Sequence, residues 1–146
     1  MARKEFVRLM EENVLILDRL ADRLRLSPEH VSGYPRNQMR VLVRLWLGGR
    51  ARLKDIARRE CLSAPNLCAS FRKLERDGLV LREADDTDRR NVWYSVTDTG
   101  RDLAMQVMEN FRFGIDKMFS TLSRTEEANL TAALKTINGI LKNMEQ

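Results

Sequence analysis

The chain has 146 residues, 43% hydrophobic and 32% charged, the balance of a globular domain with charged surfaces rather than of a disordered chain. It is too short for an α/β barrel. Aromatic residues make up only 6%, and the abundance of Leu, Met, Ala, Arg and Glu favours helix over sheet. Two cysteines exclude a disulfide scaffold and suit reduced thiols in a cytoplasmic protein. Charges recur every few residues after Met1-Ala2-Arg3-Lys4-Glu5-Phe6, which reads against a signal peptide, and no apolar run is long enough for a bilayer span.

The net charge of +5 is unevenly spread. Residues 36–101 hold 15 Lys and Arg against 9 Asp and Glu, a net +6, and the flanks hold 11 against 12, a net −1. A phosphate polymer or an anionic membrane explains a confined basic excess, and so does a merely solvated basic face, until a fold organises it.

Phe6, Leu9, Met10, Val14, Leu17, Leu20 and Leu24 recur at helical spacing and predict an amphipathic helix over residues 3–25. Ser27-Pro28 and Ser32-Gly33-Tyr34-Pro35 mark a connector. A second helix carries Met39, Leu42, Val43 and Trp46 and stops at Gly48-Gly49. Leu53, Ile56 and Ala57 give a short third helix, and Ser63 is placed to cap a fourth with Leu67, Phe71 and Leu74 on its buried stripe. Gly78 follows as a left-handed terminator.

The periodicity then changes to two. Leu79-Val80-Leu81 reads as a strand, Asp85 to Arg90 as a polar turn, and Val92 to Val96 as a second strand with Val92, Tyr94 and Val96 on one face. Thr97 can cap a fifth helix carrying Leu103, Val107, Phe111, Ile115, Met118 and Leu122, which Gly114 weakens without ending. Ser123 to Glu126 has capping-box spacing and opens a sixth, with Leu130, Leu134, Ile137, Leu141 and Met144 in steps of four and three. The predicted class is mainly α with a small β-hairpin (α+β).

Helix, turn, helix, strand, charged turn, strand is the order of a winged helix-turn-helix, and the basic segment coincides with it. Turning Leu67, Phe71 and Leu74 inward leaves Pro65, Cys68, Ala69, Arg72, Lys73 and Arg76 on the opposite face. Small side chains near a helix start permit close approach to base edges in a major groove, and the cations beyond them reach guanine acceptors or phosphates. Arg89 and Arg90 lie at a hairpin tip where turn chemistry needs no arginine, and an arginine there suits a minor groove. Asp88 is expected to orient Arg90 rather than to meet DNA.

Through Leu53-x-x-Ile56-Ala57, Leu62-Ser63, Leu74-Glu75-Arg76-Asp77-Gly78-Leu79-Val80, Asp88-Arg89-Arg90 and Val96-Thr97-Asp98-Thr99-Gly100, the sequence resembles the multiple antibiotic resistance regulator (MarR) family. The likeness covers essentially the whole chain. It implies one domain over residues 1–146, with a winged DNA-binding unit at 36–101 and dimerisation helices at 1–34 and 102–146. It further implies a homodimeric regulator, usually a repressor, on a pseudo-palindromic operator, modulated by a small molecule bound between the first, second and fifth helices. The implied recognition helix spans residues 63–77, and Asp88 and Arg90 fall on the family's wing pair. The expected DNA-contacting set is then Ser63, Pro65, Asn66, Cys68, Ala69, Arg72, Lys73, Arg76, Asp88, Arg89 and Arg90. Departures are Glu60 and Cys61 in the turn, where the family favours an apolar residue and glycine, and Cys68 and Ala69 where polar base-contacting residues are frequent.

The apolar faces of the first and last two helices exceed what the 66 residues from 36 to 101 can cover. Left bare they would form a patch larger than monomers tolerate, so a homodimer is expected, with an intramolecular helical lobe as the alternative. His30 is the only histidine, no phosphate-cradling glycine motif occurs, and no nucleophile-base arrangement is suggested. No cofactor, metal or enzymatic activity is therefore expected. Cys61 and Cys68, with Arg58, Arg59 and Arg72 nearby in sequence, leave open a thiol switch within the DNA-reading unit. The competing functional class is a helical-dimer protein-interaction module, which gives Arg72, Lys73, Arg89 and Arg90 no joint purpose; a basic membrane-surface protein fits less well, since the cations do not line one amphipathic helix.

Overall fold

The computed structural model describes residues 2–23, 33–60, 64–85 and 92–144. In chain order these form α1 (Ala2–Arg23), α2 (Arg36–Gly48), β1 (Ala51–Arg52), α3 (Leu53–Glu60), α4 (Ala64–Arg76), β2 (Val80–Ala84), β3 (Val92–Val96), α5 (Asp98–Phe119) and α6 (Arg124–Met144). His30, Cys61, Ser63, Asp88, Arg89 and Arg90 lie outside the described residues.

The chain divides into two compact units, Met1–Gly114 and Ile115–Gln146. The core of the first is made by α2, α4 and the sheet. Met39, Val41, Leu42, Leu67, Phe71, Leu74 and Val80 are fully buried. Helix α4 packs on α2, α3 and β2, and α2 also meets β3. The Phe71 and Tyr94 rings lie 4.2 Å apart with a 38° tilt, which ties α4 to the central strand.

Helix α2 ends at Gly49, whose φ of +73° admits few side chains. The sheet has three strands in the order β1-β3-β2, all antiparallel. Sequence periodicity predicts only two of them. The third, β1, is two residues long, with Ala51 opposite Tyr94 and Arg52 opposite Trp93, too short to carry a period. The expected strand at 79–81 is also displaced: β2 starts at Val80 and runs to Ala84.

Leu79 belongs instead to the cap of α4. Its N–H donates to the Leu74 carbonyl at 2.8 Å, and that of Gly78 to the Glu75 carbonyl at 3.0 Å. With φ of +72° at Gly78, this is a Schellman motif, and the buried Leu74 and Leu79 supply its apolar contact.

Thr97 joins that cap to the next helix. Its hydroxyl donates to the Gly78 carbonyl at 2.7 Å and accepts from the Gly100 N–H at 3.0 Å, while its own N–H donates to the Leu79 carbonyl at 3.1 Å. Gly100 sits so close that a Cβ there would lie 1.9 Å from the Leu79 carbonyl oxygen. Only glycine fits, which is the physical content of the Thr97-Asp98-Thr99-Gly100 run.

In the second unit, Ser123 and Glu126 form a reciprocal capping box at the start of α6. The Ser123 N–H donates to the Glu126 carboxylate at 2.9 Å and the Glu126 N–H to the Ser123 hydroxyl at 3.3 Å. The Ser123 hydroxyl bond comes first among the forces that hold the Glu126 carboxyl below its ordinary pKa. No residue of α6 is buried within the chain.

Candidate nucleic-acid interface

The site is built on α4. Leu67, Phe71 and Leu74 anchor it from below, and so does Ser70, whose hydroxyl back-bonds to the Asn66 carbonyl at 3.1 Å. That anchoring fixes which residues face outward. Pro65, Asn66, Ala69, Arg72, Glu75 and Arg76 are exposed, whereas Cys68 and Lys73 are half-buried at the margins of the face. Ala69, Arg72, Glu75 and Arg76 line one open depression.

The cations are not equivalent. Arg72 forms no salt bridge with any other described residue. Lys73 is engaged: its ammonium donates to Asp77 Oδ2 at 2.9 Å and lies 5.1 Å from the centroid of the Tyr34 ring. Tyr34 is hydrogen-bonded to the same carboxylate. The Lys73 bond, then that of Tyr34, holds the Asp77 carboxyl below its ordinary range. Burial, followed by the Asp77 bond, raises the Tyr34 phenol.

A second charged cluster lies toward the turn end of the β2–β3 hairpin and has no counterpart in the sequence reading. Trp93 on β3 donates its indole N–H to Asp85 Oδ2 at 2.7 Å. The guanidinium carbons of Arg50 and Arg52 lie 4.9 and 5.3 Å from the indole ring. Arg52 pairs with Asp55 at 2.9 Å and Arg50 with Glu83 at 3.5 Å. Arg52 thus brings the Asp55 carboxyl below its usual pKa. The register of β1 on β3 puts Arg52 beside Trp93, so this cluster was hidden with the strand.

Among the described residues no group of three or more His, Cys, Asp or Glu could hold a metal ion, and no helix is long and apolar enough to cross a membrane. The arrangement is an exposed helix face carrying Arg72 and Arg76, with Glu75 among them, in the same compact unit as a β-hairpin.

Comparison with known proteins agrees. The MarR family profile matches residues 35–92. The uncharacterized HTH-type transcriptional regulator YwhA of Bacillus subtilis is 31% identical over 107 residues, covering 73% of this chain and 75% of that protein. The apo crystal structure of wild-type MarR from E. coli superposes with a TM-score of 0.77 at 18% identity, over 87% of this chain and 94% of that one. A mutant of S. aureus MepR, solved bound to an oligodeoxyribonucleotide, gives a TM-score of 0.65 at 20% identity, over 88% and 97% of the two chains.

The fold and its exposed basic helix define a winged helix-turn-helix protein. The chain belongs to the MarR family of DNA-binding transcriptional regulators.

Proposed function

We propose that this protein binds a pseudo-palindromic operator as a homodimer in the cytoplasm and acts as a repressor. The carrying observation is that the four buried residues of α4 leave Pro65, Asn66, Ala69, Arg72 and Arg76 on one exposed face. Small residues come first and arginines later, the order that a helix entering a major groove requires. In this reading Ser63, Pro65, Asn66, Cys68 and Ala69 approach base edges, and Arg72 and Arg76 reach guanines or phosphates. Arg89 and Arg90 of the wing enter the adjacent minor groove with Asp88 orienting Arg90. The S. aureus MepR complex with an oligodeoxyribonucleotide supports the reading by analogy.

Dimerisation is supported by apolar residues that stay exposed in a single chain. On α1 these include Phe6, Leu9, Met10, Val14 and Leu17, and on α6 Leu130, Leu134, Ile137, Leu141 and Met144. A second copy covers them at about 25 cal/mol per Å² of apolar surface buried. It also sets two reading helices about one duplex turn apart, ~34–36 Å. Release by a small molecule then requires only that the ligand prefer a different spacing of the two helices.

The test is selection of bound duplexes from a random pool by the purified protein. Enrichment of paired half-sites about one turn apart is expected, with affinity falling steeply as salt rises. Enrichment of no duplex, or salt-independent binding, overturns the reading.

A further inference from the structure

The basic residues of α4 divide into two kinds. Arg72 and Arg76 are exposed on the outward face, whereas Lys73 is held between the Asp77 carboxylate at 2.9 Å and the Tyr34 ring at 5.1 Å. Helix stability does not account for this pair. A lysine four residues before an acid is the weaker orientation of an i,i+4 pair, and a carboxylate just past a helix C-terminus opposes the dipole. The third member supplies what the helix does not. Tyr34 packs against the hydrophobic core, immediately before Pro35 opens α2, and its hydroxyl shares the Asp77 carboxylate with Lys73. The cluster therefore fastens the last turn of α4, just ahead of the Gly78 cap, to the chain that enters α2.

We infer that Lys73 is a positioning residue: with Tyr34 and Asp77 it fixes the last turn of the reading helix against the entry to α2, and it makes no phosphate contact. Reaching a phosphate would cost it both the carboxylate bond and the aromatic face. The DNA-facing cations of α4 are then Arg72 and Arg76 alone. The inference rests on the DNA-binding reading above for its effect on affinity, but not for its effect on the free protein.

The experiment compares wild type with Lys73→Met, Lys73→Arg, Tyr34→Phe and Arg72→Ala. Binding to the duplex that wild type selects from a random pool is followed across a salt series, and amide hydrogen exchange is followed without DNA. Lys73→Met and Tyr34→Phe are expected to weaken binding about 3- to 10-fold, the loss of one cation-π contact or one hydrogen bond, at an unchanged salt slope. Both are expected to speed exchange at the Gly78 and Leu79 amides, and their double variant to lose less than the sum of the two. Lys73→Arg, which keeps a cation able to reach ring and carboxylate, restores both readouts. Arg72→Ala flattens the salt slope by about 0.9 if it loses one phosphate contact. A slope flattened by Lys73→Met, with Tyr34→Phe binding like wild type, makes Lys73 a phosphate contact and overturns the inference. So does unchanged exchange at Gly78 and Leu79 in both variants, an outcome read on the free protein whatever the DNA-binding result. Absence of binding by wild type itself counts against the DNA-binding reading alone.

Discussion

Helices α4 and α6 carry the same kind of apolar stripe and meet opposite fates. Leu67, Phe71 and Leu74 of α4 are wholly buried, whereas Leu130, Leu134, Ile137, Leu141 and Met144 of α6 stay 38–76% exposed. Periodicity reports that a helix has an apolar face; it does not report whether the partner for that face lies in the same chain. The winged region, with Ala104 and Val107 of α5, completes its core within the chain, whereas the apolar stripe of α6 stays exposed.

The comparison breaks most sharply in the winged region. Phe71→Ala opens a cavity beneath Tyr94, and by the usual scale for such truncations costs about 3–5 kcal/mol, read by denaturant unfolding. Gly100→Ala is expected to be of similar severity, because its methyl would fall against a backbone carbonyl rather than a movable side chain. Both should reduce the melting temperature by many degrees.

On α6 the expected loss concerns assembly rather than folding. Ile137→Glu should leave the melting of the winged unit nearly unchanged while shifting sedimentation from dimer to monomer. A variant that unfolds the whole chain instead would show that the α6 stripe is covered within one chain. Monomerisation should also weaken operator binding severely, because the two half-sites are no longer held together.

Smaller effects sharpen the difference between reading and holding. Arg72→Ala should cost about 1–3 kcal/mol on the preferred duplex and relax discrimination at one position, whereas Arg90→Ala should weaken binding evenly across sequences. At the start of α6, the Glu126 carboxyl titrates below its ordinary value because the Ser123 hydroxyl bonds to it. Its contribution is complete above the ordinary carboxylate range and is lost as pH falls through the lowered value. Circular dichroism should show an acid limb that Ser123→Ala makes shallower. Least of all, replacing Cys61 and Cys68 by serine tests the thiol switch: peroxide sensitivity of DNA binding should vanish if the switch operates and persist unchanged if it does not.

Much of this molecule is legible in its residues. The Gly78 stop, the Thr97 cap and the Ser123–Glu126 box each depend on one or two side chains acting on nearby backbone, so sequence distance and spatial distance coincide. The buried stripe of α4 is legible for the same reason. What escaped depends on register. Strand β1 is only two residues long, and the Arg50–Trp93–Arg52 cluster exists because that strand lies against β3 some forty residues later. Lys73 is a parallel case. Helical spacing places it near Arg72, but its environment is set by Tyr34, on the far side of α2 and α3 in the chain. The exposed face of α4 was inferable from helical spacing, and the tie of Lys73 to Asp77 and Tyr34 was not.

The Thr97 hydroxyl, bonded at once to Gly78 and Gly100, leaves no slack where α4 hands over to α5. Helix α5 is 22 residues long, an arm of about 33 Å. The Thr97 bonds hold only the near end of that arm, tying its first turn to the Gly78 carbonyl that follows α4. Thr97→Ala would remove both hydroxyl bonds and free the first turn of α5 from the Gly78 cap.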